Sequence, residues 1–287
     1  MTTTHQTTIS GAPAACVIGH PIHHSRSPII HNHWLRRHGL SGSYDARDVA
    51  PEAVPTFLDT IRLGGLAGCN VTVPLKEIAF ANVDHVTPTA TLIGAVNTLW
   101  MQDGRLMADN TDVYGFCANL DDHAPAWRNG THAVVIGAGG AARAILKGLL
   151  DAGYTRIDLI NRTVSRAEGL AHHFGPDRIF PAGFDALTSV LATADLIVNT
   201  SALGMDGADD VEIDFSTART DALATDIVYV PLETGFLAAA RRAGLTTVDG
   251  LGMLLHQAVP GFERWFGIRP AVDSDLRAVV EADLFGH

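Results

Sequence analysis

The chain has 287 residues, of which 47% are hydrophobic and 18% charged, so it can bury a sizeable core and is not wholly disordered. Its 20 basic and 31 acidic residues give a formal net charge of −11, which argues against nucleic acid or an anionic membrane as the main partner. The sequence has no apolar run of about 18 residues, no signal-peptide pattern in MTTTHQTTIS, and three scattered cysteines (Cys16, Cys69 and Cys117). We therefore expect a cytoplasmic protein with reduced thiols and with neither a nucleic-acid nor a membrane partner.

Strand and helix patterns alternate along the first half of the chain, as in α/β proteins. After residues 1–10, which we expect to be disordered, the patterns predict a strand at 14–19, a helix at 28–38, a weaker strand at 43–49, a helix at 54–64, a strand at 68–74 and a helix at 77–86. Strands at 95–101 and 105–111 flank Asp103-Gly104, a strong hairpin signal. A helix then starts with Thr111 or Asp112 as its cap.

A second α/β unit begins near Trp127 with a strand–turn–helix–strand module over 131–163. It continues with a helix at 163–173, a strand near 178–181, a helix at 183–193, strands at 195–201 and 224–230, a helix at 233–244 and a strand at 246–250. The stretch 251–267 is predicted to be helical. The predicted fold class is α/β, with two α/β domains in tandem.

The strongest motif is VVIGAGGAA, which places Gly137, Gly139 and Ala142 at the G-x-G-x-x-G/A spacing between a predicted strand and helix. Gly137 would make the tight turn, Gly139 would let a pyrophosphate approach the backbone, and small Ala142 would let helix and strand pack closely. The helix N-terminus then faces the pyrophosphate. The motif predicts a dinucleotide site.

The residues after the second strand of this module indicate which dinucleotide binds. An NAD site usually has Asp or Glu there to bind the ribose 2′-hydroxyl. This chain has Asn161, followed by Arg162 and Arg166, and two guanidinium groups suit a 2′-phosphate. The pattern favours NADP, with two ordinary surface arginines as the alternative.

Lysine is rare in this chain. Of the 20 basic residues only Lys76 and Lys147 are Lys, and Lys76 follows an apolar run in GCNVTVPLKE, where a solvated cation is less expected. Together with Asp112 of DNTD, Lys76 suits alcohol–ketone chemistry, because an ammonium can protonate a developing alkoxide while a carboxylate orients it. Each residue could equally be a solvated charge, and the sequence does not show that they meet.

Two further groups of residues are ambiguous by themselves. Ser25 and Ser27 precede Pro28 at a predicted helix start, where hydroxyls either cap the helix or help to bind a carboxylate. Five histidines between positions 20 and 33 raise the idea of a metal site. His31 and His33 would face different directions on a helix, and no carboxylate or Cys completes a ligand set, so we predict no metal.

Together the motifs resemble the shikimate dehydrogenase family over nearly the whole chain. In the order and spacing of that family they are GHPIHHSRSP, GCNVTVPLKE, GAVNT, DNTDVYGF, VIGAGGAARA, NRT, NTSALGM, DIVYVP and DGLGMLLHQA. The resemblance implies a substrate domain over 11–113 and 251–287, which includes C-terminal helices, and a Rossmann-type NADP domain over 114–250. It implies reversible NADPH-dependent reduction of 3-dehydroshikimate to shikimate, in chorismate and aromatic amino-acid biosynthesis.

The resemblance also implies roles for individual residues. Lys76 would be the catalytic acid/base, paired with Asp112. The expected substrate ligands are Ser25, Ser27 and Tyr229 for the carboxylate, and Thr72, Asn97, Asp112 and Gln257 for the ring hydroxyls. The expected NADP ligands are Gly137, Ala138, Gly139, Gly140, Ala141 and Ala142 at the pyrophosphate, Asn161, Arg162, Thr163 and Arg166 at the 2′-phosphate, and Ile227 and Gly250 near the nicotinamide.

Several alternatives stay open. Quinate/shikimate dehydrogenases share the Lys, the Asp and Ser-x-Ser but often use NAD, and shikimate-dehydrogenase-like paralogues keep most of the frame. An NADP-binding sensor without turnover would usually lack a catalytic group, whereas Lys76 and Asp112 are both present. Folate-linked dehydrogenases would not explain Ser-x-Ser-Pro or the terminal GMLLHQA. The oligomeric state is open, with a homodimer among the alternatives.

Overall fold

The computed structural model describes residues 12–201 and 213–286, and these divide into two compact units. The first unit comprises the described residues up to Thr111 together with those from Gln257 onward, and the second comprises those within Asp112–His256. The expectation of disorder at 1–10 lies outside the described residues, as do residues 202–205 of the NTSALGM motif.

The first part of the chain alternates short strands and helices, as the sequence predicts. In order these are β1 Ala14–Gly19, α1 Ser27–Arg37, β2 Ser43–Asp48, α2 Val54–Arg62, β3 Gly68–Val71, α3 Lys76–Asn82, β4 His85–Val86, α4 Pro88–Ile93, β5 Thr98–Gln102 and β6 Arg105–Asp109.

These six strands form one mixed sheet with the order β2-β1-β3-β5-β6-β4. The strands β2, β1 and β3 are parallel, β5 runs antiparallel to both β3 and β6, and β4 is parallel to β6. The predicted hairpin between β5 and β6 is confirmed. Its turn residues Asp103 and Gly104 both have positive φ, 50° and 74°, as a two-residue turn between twisted strands requires.

One helix prediction in this unit is wrong at its end. The helix expected over 77–86 stops at Asn82, because Val83 is extended and the chain then forms β4, which pairs with β6. Helix α4 is absent from the predicted elements, although its start carries a recognisable signal. Thr87 accepts a hydrogen bond from the Ala90 N–H, and Pro88 occupies the first turn.

The second unit repeats the alternation with parallel strands throughout. Its elements are α5 Asp112–His123, β7 His132–Ile136, α6 Gly140–Asp151, β8 Arg156–Ile160, α7 Val164–Phe174, β9 Ile179–Ala182, α8 Leu187–Leu191, β10 Leu196–Asn199, β11 Leu223–Asp226, α9 Gly235–Arg242, β12 Thr246–Val248 and α10 Leu251–Phe266, which continues into the first unit. The sheet order is β12-β11-β10-β7-β8-β9. This is the dinucleotide-binding order, whose direction reverses between β7 and β10, where ligands bind beyond the carboxyl ends of the strands.

Two predicted elements of this unit are shorter than expected. The strand predicted over 224–230 ends at Asp226, because the Asp226 carboxylate accepts the N–H of Val228 and turns the chain. The helix predicted over 183–193 is a short 3-10 helix, Phe184–Ala186, followed by α8.

The C-terminal residues complete the first unit. After α10 comes α11 Ser274–Phe285, which Asp273 caps by accepting the Leu276 N–H. The indole N–H of Trp265 donates to the Leu99 carbonyl at 2.9 Å. That approach needs Gly68, because a Cβ there would lie 2.1 Å from both the Leu99 oxygen and the Trp265 nitrogen. No helix in the described parts of the chain is long and apolar enough to cross a membrane.

Candidate active site

In the first unit, the site residues predicted from the sequence lie at one edge of the mixed sheet. The loop after β1 carries Ser25 and leads to Ser27 at the start of α1, and the loop after β3 carries Thr72 and leads to Lys76 at the start of α3. Asn97 directly precedes β5. Since β1 and β3 are parallel and β5 is antiparallel to them, all of these positions lie at the same edge. The loops touch there, because a Cβ on Gly19 would lie 2.7 Å from the methyl group of Thr72.

The two serines lie on either side of Arg26, the N-cap residue of α1. Helix α1 has no side-chain hydrogen bond at its N-cap, which is Arg26. Instead the Ser25 hydroxyl accepts the N–H of Ser27 at 3.3 Å, and Ser27 is buried at the start of the helix. The Ser25 hydroxyl thus bonds an N–H group in the first turn of α1, and carboxylate binding by the two serines stays a prediction.

Lys76 is the first residue of α3 and is half-buried. Its carbonyl accepts the Val96 N–H at 3.2 Å, which fixes the backbone of Lys76 against the segment that leads to Asn97. The preceding turn closes with a bond from the Leu75 N–H to the Thr72 carbonyl. Lys76 thus stands on a short, well-bonded turn at the sheet edge.

Asn97 and the backbone of Gln257 are joined through Thr111. The Asn97 side-chain oxygen accepts the Thr111 N–H at 2.8 Å, and Asn97 is only 3% exposed. The Thr111 hydroxyl lies 2.8 Å from the carbonyl of Gln257, to which it donates. This arrangement fixes the orientation of the Asn97 amide and places half-buried Gln257 beside it.

Sequence reasoning missed two buried residues beneath this edge, Tyr44 on β2 and Asn70 on β3. The Tyr44 hydroxyl donates to the Asn70 side-chain oxygen at 2.6 Å. The Asn70 amide donates to the Asn97 carbonyl at 3.0 Å and to the Thr98 hydroxyl at 3.1 Å. The only sequence signal was an Asn inside the apolar strand GCNV, because a buried amide requires partners.

The histidines have separate surroundings. His31 is fully buried and stacks on the Tyr44 ring, with centroids 4.0 Å apart and an interplanar angle of 10°. Burial lowers the pKa of His31 to about 3, so its ring is neutral. His20 lies near Asp48 instead, at 2.6 Å. Across residues 12–201 and 213–286, no three His, Cys, Asp or Glu side chains group as metal ligands.

In the second unit, the glycine-rich loop connects β7 to α6 as the motif predicts. Gly137 has φ +105°, and a Cβ there would lie 2.9 Å from the Thr200 hydroxyl, so only glycine fits this turn. Gly139 and Gly140 face open space, since a Cβ on either would meet nothing within 4 Å. Ala142 is fully buried against the sheet. The open N-terminus of α6, flanked by Ala138 and Ala141, fits a pyrophosphate.

Asn161 ties this loop to the segment that carries the arginines. Its side-chain oxygen accepts the Ala138 N–H at 3.0 Å, and its amide donates to the Thr163 carbonyl at 2.8 Å. Arg162 and Arg166 are exposed. Both side-chain ends of Asn161 are thus used on the backbone, and the guanidinium groups beyond it are accessible to an anion.

Three of the remaining predicted residues of this unit, Ile227, Tyr229 and Gly250, lie in or against the loop that follows β11. A Cβ on Gly250 would lie 2.5 Å from the Ile227 carbonyl, so the structure brings these two residues together. Tyr229 is half-buried and follows Asp226 in the same loop. Asp226 accepts hydrogen bonds from the Asn199 amide, the Thr234 hydroxyl and the Val228 N–H. Asp112, half-buried at the start of α5, also belongs to this unit.

Three protein-family models match most of the chain, each over a different segment. "Shikimate dehydrogenase substrate binding domain" matches residues 17–99, "Shikimate / quinate 5-dehydrogenase" matches 124–227, and "Shikimate 5'-dehydrogenase C-terminal domain" matches 250–280. Together they span both units and the C-terminal segment.

Individual relatives and solved structures are similar over nearly the full length. The chain is 54% identical over 273 residues to "Shikimate dehydrogenase (NADP(+))" of Brucella melitensis, covering 94% of each chain. It is similar to the shikimate 5-dehydrogenase of Thermus thermophilus in complex with NADP(H) and shikimate, with a TM-score of 0.83, 38% identity and coverage of 94% and 99%. It is also similar to quinate dehydrogenase from Corynebacterium glutamicum in complex with NAD, with a TM-score of 0.86, 30% identity and coverage of 95% and 100%.

Proposed function

Because the chain belongs to the shikimate dehydrogenase family, we propose that it catalyses the reversible, NADPH-dependent reduction of 3-dehydroshikimate to shikimate. One observation carries the proposal furthest. Residues that are far apart in sequence and match the motifs of the family gather at one edge of the mixed sheet, on loops fixed by backbone hydrogen bonds. These residues include Lys76, which is one of only two lysines in the whole chain.

For the substrate we propose a site built on the substrate domain, residues 11–113 and 251–287. Ser25 and Ser27 bind the carboxylate with Tyr229. Thr72, Asn97, Asp112 and Gln257 bind the ring hydroxyls. The fixed orientation of the Asn97 amide supports this assignment, because a buried amide whose oxygen is already bonded presents its N–H groups in a defined direction.

Lys76 is the proposed acid/base. NADPH, when bound, would supply the hydride that the ring carbonyl carbon accepts. The Lys76 ammonium donates a proton to the developing alkoxide oxygen, and in the reverse direction the neutral amine accepts that proton from the shikimate hydroxyl. The bonded turn between Thr72 and Lys76 limits the movement of the ammonium, which supports a positioned proton donor over a freely solvated charge.

For the cofactor we propose NADP on the domain at 114–250. The α6 N-terminus holds the pyrophosphate with residues from Gly137 to Ala142. Arg162 and Arg166 bind the 2′-phosphate beside Asn161 and Thr163, and Ile227 and Gly250 lie near the nicotinamide. The absence of a carboxylate at position 161 supports NADP over NAD, because an acid there would repel the phosphate.

We also propose a cytoplasmic enzyme of chorismate and aromatic amino-acid biosynthesis. The similarity to the Corynebacterium glutamicum quinate dehydrogenase supports an alternative function, which is quinate oxidation with NAD. Asn161 and the two arginines favour the biosynthetic assignment, because they suit the phosphorylated cofactor.

The test is a set of initial rates with four pairs, shikimate or quinate with NADP or NAD, followed by the absorbance of the reduced cofactor. We expect a rate confined largely to shikimate with NADP. A rate with quinate and NAD would assign the protein to quinate oxidation. Binding of NADP without turnover of either substrate would contradict the proposed enzyme and favour a sensor or a different substrate.

A further inference from the structure

The side chain of Arg26 holds the segment that carries Ser25 and Ser27, the two proposed carboxylate ligands. Its Nη1 donates to the His24 carbonyl at 2.6 Å. The guanidinium therefore reaches back across Ser25, from the residue that follows it to the residue that precedes it. The Ser25 N–H donates to the Ile22 carbonyl at 3.0 Å, and the Ser25 hydroxyl accepts the Ser27 N–H at 3.3 Å. Hydrogen bonds on both sides of Ser25 thus fix its position.

A carboxylate of the C-terminal helix holds this guanidinium in turn. The Nε of Arg26 lies 2.6 Å from an oxygen of Asp283, and the two side chains are 20% and 27% exposed. Asp283 lies in the last turn of α11, which packs against α1. A partly buried pair of charges is screened less by salt than a pair on the open surface. The serine segment is therefore connected to a helix at the far end of the chain.

A second ion pair joins the same two helices at their other ends. Arg37, the last residue of α1, lies 2.8 Å from Asp273 and 3.4 Å from Asp275. The helices thus run antiparallel, with one contact beside the serines and a similar contact a helix length away. The proposed mechanism uses neither contact, and the two differ mainly in their distance from the proposed carboxylate site.

We infer that Asp283 is a positioning residue, which acts through Arg26 to hold the two serines in the geometry that binds the substrate carboxylate. The inference rests on the proposed function, because it takes both serines as carboxylate ligands. A guanidinium suits the role, since its several N–H groups can hold a backbone carbonyl and a carboxylate at the same time.

The sign of one kinetic change distinguishes this role from direct binding of the substrate by Arg26. If the guanidinium itself bound the substrate carboxylate, removing the charge of Asp283 would release it for that purpose and lower KM for shikimate. If Asp283 positions the serines through Arg26, the same change loosens the serine segment and raises KM.

The test is Asp283→Asn, which removes the charge and nearly keeps the size of the side chain. We expect KM for shikimate to rise about fivefold, the size that corresponds to the loss of one partly buried ion pair. The value of kcat should stay within about twofold of the wild type, because Lys76 is untouched, and so should KM for NADP, which we assign to the second unit. Steady-state kinetics with shikimate and NADP measure all three constants.

Asp275→Asn is the matched control. It makes the same substitution in the same helix with the same change in net charge, but at the end that contacts Arg37. It also removes an acidic residue from the first turn of α11, so it should lower Tm as well. KM for shikimate should nevertheless stay at the wild-type value.

A double-mutant cycle tests whether Asp283 acts through Arg26. Arg26→Gln should raise KM for shikimate by itself, because the serine segment loses the guanidinium that spans it. Adding Asp283→Asn to that variant should raise KM little further, since both substitutions break one contact.

Several results would contradict the inference and leave the proposed function intact. A lowered KM for shikimate in Asp283→Asn would make Arg26 a direct ligand of the carboxylate, and an unchanged KM would remove the positioning role. Equal rises in Asp283→Asn and Asp275→Asn would reduce the effect to net charge or stability, and additive effects in the cycle would exclude action through Arg26. If wild-type protein neither turned over nor bound shikimate, the proposed function would fail and the inference with it.

Discussion

The first unit buries hydroxyl and amide groups around its candidate site, whereas the second unit buries carboxylates as well. Among the described residues, the buried polar side chains of the first unit are those of Ser27, His31, Asn70, Asn97, Thr98, Asn110 and Thr111, with the phenol of Tyr44. In the second unit, Asp158 and Asp226 are 3% and 1% exposed. Around its candidate site, the first unit thus buries neutral groups, whereas the second unit also buries carboxylates, whose charge depends on pH.

The two buried carboxylates of the second unit have different partners. Asp226 ends β11 at the carboxyl edge, where the cofactor loops lie, and holds three donors. Asp158 is the middle residue of β8, and its carboxylate lies 2.6 Å from the His132 ring and accepts a bond from Arg156. A buried carboxylate can fix several donors at once, but its stability contribution depends on pH.

This contrast indicates a division of roles between neutral and charged side chains. On the proposed assignments, neutral groups orient the substrate residues, Lys76 supplies the reacting proton, and the two buried carboxylates of the second unit fix donors of the protein itself. The variants below test that division in order of decreasing expected effect.

In the first unit, Lys76→Met should affect turnover much more than substrate binding. It should lower kcat by about 10²- to 10⁴-fold, the usual contribution of a positioned acid/base, and change KM for shikimate much less. The measurement is steady-state kinetics with NADP and shikimate. Lys147→Met removes the other lysine of the chain, which pairs with Asp151 on α6. This control should retain turnover, and near-normal kcat in Lys76→Met would show that the assignment is wrong.

Asp226→Asn should destabilise the second unit by about 1–3 kcal/mol, because an NH2 group replaces one of the two oxygens that accept the three donors. Burial raises the pKa of Asp226 above its ordinary 3.8, despite the bonds from Asn199 and Thr234. The folded state therefore binds the proton more tightly, and the wild-type advantage is largest below pH 3.8 and shrinks as pH rises through the raised pKa. Denaturant unfolding at several pH values measures this, with exposed Asp177→Asn as the control.

Asp158→Asn should show the opposite pH dependence. Burial by itself would raise the pKa of Asp158, but hydrogen bonds from His132 and Arg156 outweigh it and lower the pKa below 3.8. The wild type should then be more stable by about 2 kcal/mol near neutral pH, and this advantage should disappear as pH falls below 3.8 through the lowered pKa. The same unfolding series provides the measurement. Parallel pH trends for the two variants would contradict the opposite pKa shifts of the two carboxylates.

Asn161→Asp should give the smallest effect, confined to the cofactor. The added charge repels a 2′-phosphate and the carboxylate can no longer donate to the Thr163 carbonyl, so KM for NADP should rise about tenfold. KM for NAD should change little, because NAD lacks the phosphate. Asn129→Asp makes the same substitution at an exposed position before β7 and should leave both constants unchanged. Equal losses for NADP and NAD would point to a distorted loop instead of charge.

The features that the sequence predicted well depend on short stretches of chain. The glycine loop, the Asp103-Gly104 hairpin and the strand–helix alternation each follow from a few neighbouring residues. Tyr44 and Asn70 escaped prediction because their relationship depends on two strands that are not hydrogen-bonded to each other, on either side of β1. The end of β11 escaped because DIVYV reads as an apolar strand, and only the burial of Asp226 shows that its carboxylate turns the chain.

The first unit is completed by the last residues of the chain, and this has a consequence for synthesis. Trp34 and Leu99 lie in the early part of the chain, yet the indole of Trp34 donates to the Ala271 carbonyl and the Leu99 carbonyl receives the indole of Trp265. A ribosome releases residues 112–256 before these partners exist, so the second unit can fold while the first still exposes aromatic surface. The unit that begins the chain is therefore the last to finish folding, and a nascent chain arrested before α10 presents that surface to chaperones and proteases.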